Sequence, residues 1–197
     1  MVISTLKELR NVLNYERSIW GIPVVSGFFG WLKTDLLFWI HPGSPYQFMY
    51  CLRCEEYFGG RSGGGKFIYK LLQYKHKKLQ FRTGIELYPG CADQGTTVNH
   101  GKCVISKVAK IGKDCVILSD VTIGGAGGAH DSGAAIIGDR VFIASGARII
   151  GNITICNDVA IGANAVVVND ITEPGTVWGG IPAKKISVIG DNPFITR

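Results

Sequence analysis

The sequence predicts an α+β protein in which an N-terminal helical segment is followed by a parallel β-helix of hexapeptide repeats. Three observations predict this fold: helical spacing of apolar residues in the first part, aliphatic residues at steps of six in the second, and one glycine-rich interruption of those steps. We place an α-helical domain at 1–82, the β-helix at 83–190 with one protruding loop, and a tail at 191–197.

The first part shows the periodicity of amphipathic helices. Leu6, Leu9 and Leu13 recur at helical spacing, and Ser4 is a candidate N-cap. Two further helices are expected on either side of the glycine run 59–65.

Two motifs in this part look functional but are better explained structurally. The segment 60–66 spells most of a phosphate-binding loop, yet Phe67 stands where a magnesium-binding Ser or Thr belongs. Cys51 and Cys54 form a lone Cys-x-x-Cys that we place on a packed helix face. The basic run 75–78 is interpreted as a solvated helix end.

The second part carries a ladder of large aliphatic residues at steps of six. The ladder residues are all Ile or Val: Ile105, Ile111, Ile117, Ile123, Ile137, Ile143, Ile149, Ile155, Ile161 and Val167. A helix turns through about 600° in six residues and cannot keep them on one face. Three short strands with a corner after each can, and they build a triangular coil with the aliphatic residues inside.

Composition narrows the class of protein. The 27 Gly residues do not recur every third position, which excludes collagen, and 18% charged residues argue against a disordered chain. The net charge of +6 suits an anionic ligand, but without a basic and aromatic motif we expect no nucleic acid partner. Six Cys without an export signal are expected to be free thiols, and Cys91, Cys103 and Cys115 to be small buried residues rather than metal ligands.

Two histidines fall where the ladder is irregular. His130 lies in the interruption between Ile123 and Ile137, and His100 precedes the regular ladder. Neutral imidazole is a suitable base near pH 7 for removing a hydroxyl proton. We therefore expect catalytic roles for both, with a structural hydrogen bond as the alternative.

Residues 86–190 resemble the hexapeptide-repeat acyltransferases, and most closely the serine O-acetyltransferases and their polysaccharide-modifying relatives. Five motifs carry the resemblance by their order and spacing: Glu86-Leu87-Tyr88-Pro89-Gly90, Asn99-His100-Gly101, Val121-Thr122-Ile123-Gly124-Gly125, the segment 146–152 and Gly180-Ile181-Pro182-Ala183-Lys184. The resemblance implies a left-handed coil, which the spacing alone does not give.

The resemblance implies that His100 is the general base of acetyl transfer. The residue beside it is Asn99, where the serine enzymes have an Asp that supports the imidazole. Glu86 is the candidate to replace that support, because Glu86-Leu87-Tyr88-Pro89 stands where the family has Asp-Ile-His-Pro.

The resemblance also implies acetyl-CoA as co-substrate, with no permanently bound cofactor and no metal. Ser145 and Ala163 would contact the pantetheine arm, and Gly125 and Ala126 would flank the thioester. Lys184 or Lys185 would meet the phosphates, a solvated charge being the alternative for either.

The acceptor is expected to be a sugar of a surface polysaccharide or its precursor. The loop lacks the Arg that would pair with a serine carboxylate, although free serine remains the alternative. A non-catalytic scaffold is the second alternative. We expect a cytoplasmic homotrimer, and the apolar stretch 19–40 is either a buried hairpin or a peripheral membrane contact.

Overall fold

The structure is a computed structural model that describes residues 3–22, 44–127, 133–190 and 193–194. Its chain divides into two compact units, 2–83 and 84–197. Most of the apolar stretch 19–40 lies outside the described residues, as does His130.

The described part of the first unit is helical. It contains α1 (Leu6–Ile19), α2 (Pro45–Phe58) and α3 (Gly64–Thr83). The N-cap of α1 is Thr5 rather than the predicted Ser4, because Thr5 and Glu8 form a reciprocal capping box. Cys51 and Cys54 are buried on α2, and in the basic run His76 is buried while the lysines beside it reach the surface.

The core of this unit contains a buried ion network. Arg53 is 0% exposed, and its Nε lies 2.8 Å from Oε1 of Glu16. Its Nη1 lies 3.1 Å from Oε2 of Glu56. Nearby, Nδ1 of His76 lies 2.5 Å from Oε2 of Glu55. The charge of Arg53 is removed from water and must be paired to be tolerated, and its contact with Glu16 joins α2 to α1.

The second unit is a stack of three-sided coils made of very short strands. The strands are β1 (Ile85–Glu86), β2 (Thr97–Val98), β3 (Cys103–Ile105), β4 (Lys110–Ile111), β5 (Val116–Ile117), β6 (Thr122–Gly124), β7 (Ile136–Ile137), β8 (Phe142–Ile143), β9 (Arg148–Ile150), β10 (Thr154–Ile155), β11 (Ala160–Ile161), β12 (Val166–Val167), β13 (Thr176–Gly179) and β14 (Lys184–Val188). They form three sheets, β1-β3-β6-β9-β12, β10-β7-β4 and β14-β13-β11-β8-β5-β2.

The aliphatic ladder fills the inside of these coils. None of its ten residues is more than 3% exposed. Ile123 pairs in parallel register with Ile105 on one side and Ile149 on the other, so equivalent ladder residues stack from coil to coil. The buried Cys115 donates from Sγ to the carbonyl of Gly138, 3.1 Å away on the next coil.

The stack ends in a pairing of the opposite direction. All strand pairs up to β13 are parallel, but β14 runs antiparallel to β13. The connection 180–183 is too short for a crossover, and a short turn can join only antiparallel neighbours.

No helix among the described ranges is both long enough and apolar enough to cross a lipid bilayer.

Candidate active site

The corner that bears His100 contains one residue more than the equivalent corners of the stack. Val98 pairs with Ile117, and on the next side of the coil Val104 pairs with Thr122. Six residue steps therefore separate Val98 from Val104, whereas five separate Ile117 from Thr122. Ile143 and Arg148 on the following coil again lie five apart.

The extra residue is accommodated by an unusual backbone. His100, Gly101 and Lys102 have φ angles of 69°, 69° and 50°, three left-handed residues in succession. A single left-handed residue is usual at the corners of this stack, as at Asp120 and Asn164, so the run of three distinguishes the His100 corner. The imidazole of His100 is exposed, as a base that must reach a substrate requires.

Asn99 and Glu86, which are predicted to support the imidazole of His100, form hydrogen bonds with other residues. Asn99 is half-buried, and its backbone N donates a 2.8 Å bond to the carbonyl of Ile117. Glu86 ends β1, pairs with Val104, and accepts a hydrogen bond of 2.7 Å from the hydroxyl of Tyr88. Within the part of the chain that the structure describes, the ring of His100 forms no side-chain hydrogen bond with either residue.

The hydrogen bond from Tyr88 has an electrostatic consequence. It stabilises the protonated phenol beside a carboxylate, and so it raises the pKa of Tyr88. The raised pKa keeps the phenol of Tyr88 protonated, so that it remains the donor to Glu86.

The predicted donor residues Ser145 and Ala163 lie on the same corner as His100, on successive coils. The backbone N of Asn164 donates to the carbonyl of Ser145 at 3.0 Å, and that of Gly146 donates to Ser119 at 2.9 Å. The structure adds Ser119 to this corner, which the sequence motifs do not single out. Its Oγ lies 3.3 Å from that of Ser145. Allowing for the length of the interruption would have placed Ser119 directly against Ser145.

The remaining predicted residues are dispersed. Gly125 and Ala126 are exposed directly after β6, at the start of the interruption. Lys184 and Lys185 are exposed on β14. Lys185 forms an ion pair with Glu173, so Lys184 is the better candidate for a phosphate contact.

The comparisons with known proteins point to one group. No protein-family model matches the chain. The chain is 40% identical to the serine acetyltransferase of Staphylococcus xylosus over 119 residues, which are 57% of this chain and 55% of the relative. Over these residues the chain is similar to serine acetyltransferases. This confirms the resemblance inferred from the motifs.

Solved structures confirm the fold. The serine acetyltransferase of Neisseria gonorrhoeae in complex with serine gives a TM-score of 0.66 at 23% identity, over 92% of this chain and 70% of that one. A serine acetyltransferase in complex with CoA gives a TM-score of 0.65 at 20% identity, over 92% and 70%. These likenesses confirm the predicted helical segment followed by a left-handed parallel β-helix. The chain spans about half the length of the curated relatives it matches.

Proposed function

We propose that the protein is a serine O-acetyltransferase that transfers an acetyl group from acetyl-CoA to the hydroxyl of serine. The observation that carries the proposal is the 40% identity to a serine acetyltransferase over 119 residues. Serine therefore replaces a polysaccharide sugar as the preferred hypothesis for the acceptor.

His100 is proposed as the general base. Its exposed ring lies on an irregular corner whose extra residue the stack does not need. As the serine hydroxyl attacks the thioester carbonyl, the imidazole takes the hydroxyl proton. The tetrahedral intermediate then collapses, the carbon–sulfur bond breaks, and the proton passes to the departing thiolate of CoA.

Acetyl-CoA is proposed to lie along the corner formed by Ser119, Ser145 and Ala163. The hydroxyls of Ser119 and Ser145 on successive coils suit an extended arm that contains amides. The backbone N–H groups of Gly125 and Ala126 are candidates to stabilise the oxyanion.

The proposal extends to a homotrimer with the site between subunits, as the resemblance implies.

A sugar hydroxyl is the second candidate acceptor, and one observation favours it. The interruption from Gly124 to Ile136 contains no Arg that could pair with the carboxylate of serine.

The experiment is to incubate the purified protein with acetyl-CoA and either L-serine or a panel of sugars, and to measure release of the CoA thiol. We expect rapid release with L-serine and O-acetylserine as the product. Turnover on a sugar but not on serine would replace the acceptor and keep the chemistry. No release with any hydroxyl compound would overturn the enzymatic proposal in favour of a scaffold.

A further inference from the structure

Helix α3 has an exposed apolar stripe on the side away from its buried face. Phe67, Leu71, Tyr74 and Phe81 are 66%, 50%, 68% and 92% exposed. Leu72, His76 and Leu79 are the buried residues of the same helix. Large aromatic side chains this exposed are unusual in a water-facing helix.

The spacing aligns these residues along the whole helix. At about 100° per residue, Phe67, Leu71, Tyr74 and Phe81 all fall within roughly 40° of one line. Lys78 falls on the same line, and its Nζ lies 5.9 Å from the centre of the Tyr74 ring. The buried residues lie roughly 120–180° away from this line, so the stripe is the outward face of α3.

Basic side chains border the stripe on both sides. Lys66, Lys70 and Lys77 fall on one flank, and Lys75 and Arg82 on the other, at roughly 60–100° from the line. The sequence of α3 contains five Lys and one Arg but no Asp or Glu. A positive charge equal to the net +6 of the chain is thus concentrated on one helix.

We infer that α3 docks this face on the surface of a lipid bilayer that contains anionic headgroups. Aromatic and leucine side chains enter the boundary between headgroups and acyl chains, while flanking Lys and Arg contact the phosphates. The helix lies along the bilayer surface, because cations on both flanks keep both edges at the headgroups. This inference is independent of the proposed acetyl transfer and concerns the other unit of the chain.

Charge and apolar surface together favour a bilayer over two other occupants of this face. A second copy of the same face would bring cations against cations with no acidic partner on either helix. A nucleic acid would neutralise the lysines, but a duplex backbone offers nothing apolar to cover a continuous line of Phe, Leu and Tyr. An anionic bilayer satisfies both parts of the face.

The test is co-sedimentation of the full chain with vesicles of phosphatidylcholine alone or with roughly one-third phosphatidylglycerol. We expect binding to the anionic vesicles that weakens as salt is added. The double variant Lys70→Gln/Lys77→Gln is expected to bind roughly thirtyfold more weakly, and Phe67→Ser/Phe81→Ser at least about tenfold more weakly.

Matched controls lie on the β-helix. Lys107→Gln/Lys113→Gln removes the same charge, and Ile186→Ser/Val188→Ser removes comparably exposed apolar surface. Neither control should change vesicle binding, and circular dichroism should show all four variants folded.

Three kinds of result would overturn the inference. The first is vesicle binding that does not depend on α3: either wild type and α3 variants bind both kinds of vesicle equally, or none of these proteins binds. The second is a fall in oligomeric state in Phe67→Ser/Phe81→Ser without vesicle binding by wild type, which would make the face an interface between copies. The third is binding to single-stranded RNA that the lysine variant loses, again without vesicle binding by wild type.

Discussion

The hydroxyl of Tyr88 donates a 2.7 Å hydrogen bond to Oε1 of Glu86, so two departures from the serine acetyltransferase motif are partners of each other. Glu86 lies on β1, which pairs with β3, the strand that follows His100. Replacing Asp and His of that motif by Glu and Tyr therefore changes a unit rather than two independent positions.

Tyr88→Phe is expected to lower kcat/KM for the acceptor about three- to tenfold, because Glu86 loses the donor that orients its carboxylate. The KM for acetyl-CoA should stay constant, since Ser145 and Ala163 lie on a different corner of the coil from Tyr88. Steady-state kinetics with each substrate varied in turn measures both. An equal change in both KM values would contradict a role confined to the acceptor.

His100→Asn is expected to lower the rate of acetyl transfer by about a hundred- to ten-thousandfold, the usual loss when a general base is removed. Asn is the appropriate replacement because it tolerates the φ of 69° better than Ala does. His100→Ala should show the same kinetic loss and in addition unfold with about 1 kcal/mol less free energy. Wild-type turnover by His100→Asn would exclude His100 as the base.

Arg53→Met is expected to lower the free energy of unfolding by about 3–5 kcal/mol, because the carboxylates of Glu16 and Glu56 lose their buried partner. Arg140→Gln breaks the exposed ion pair with Asp158 and should cost at most about 1 kcal/mol. Urea unfolding followed by circular dichroism compares the two. Similar costs for both variants would show that burial does not decide the strength of the Arg53 contacts.

The cysteines should differ strongly in reactivity. Burial raises the pKa of Cys51 and Cys103 to about 12, and it raises the pKa of Cys156 as well. At pH 8 only about one in ten thousand of the Cys51 and Cys103 thiols would be ionised. Iodoacetamide labelling with mass spectrometry should modify half-buried Cys156 first and all six thiols only in denaturant. Rapid labelling of Cys103 in the folded protein would be inconsistent with its buried position.

Gly112→Ala is expected to destabilise the β-helix by about 1–3 kcal/mol. A Cβ at Gly112 would lie 2.6 Å from the backbone carbonyl of Gly138 on the next coil, which cannot move aside. Gly124→Ala is the control, because a Cβ there meets nothing within 4 Å. Thermal unfolding that ranks the two variants in the reverse order would contradict this account of coil stacking.

The β-helix could be predicted from the sequence because its signal is strictly periodic. All ten ladder residues from Ile105 to Val167 are buried in the same position of the coil, so the same residue type recurs at each of them. The periodic signal does not explain each glycine. Gly112 is required because the next coil approaches closely, whereas several left-handed corners are occupied by other residues, such as Asp120 and Asn164.

Candidate site residues could be predicted either where that period is interrupted or where a motif resembles the acetyltransferases. The irregular ladder singles out His100 as a candidate, whereas Ser119 lies on a regular corner and belongs to none of the five motifs. The hydrogen bond between Tyr88 and Glu86 depends on side-chain direction, which residue type and spacing do not specify. The exposed stripe of α3 was hidden because the same apolar spacing describes a buried face.

The single extra residue at the His100 corner shows where such a coil can change during evolution. An insertion within a strand would exchange the inner and outer faces of every residue after it and expose the aliphatic core. At a corner the additional residue is absorbed by the turn, and Val98 and Val104 on either side keep their partners. New reactive groups can therefore enter this scaffold one residue at a time without loss of the fold.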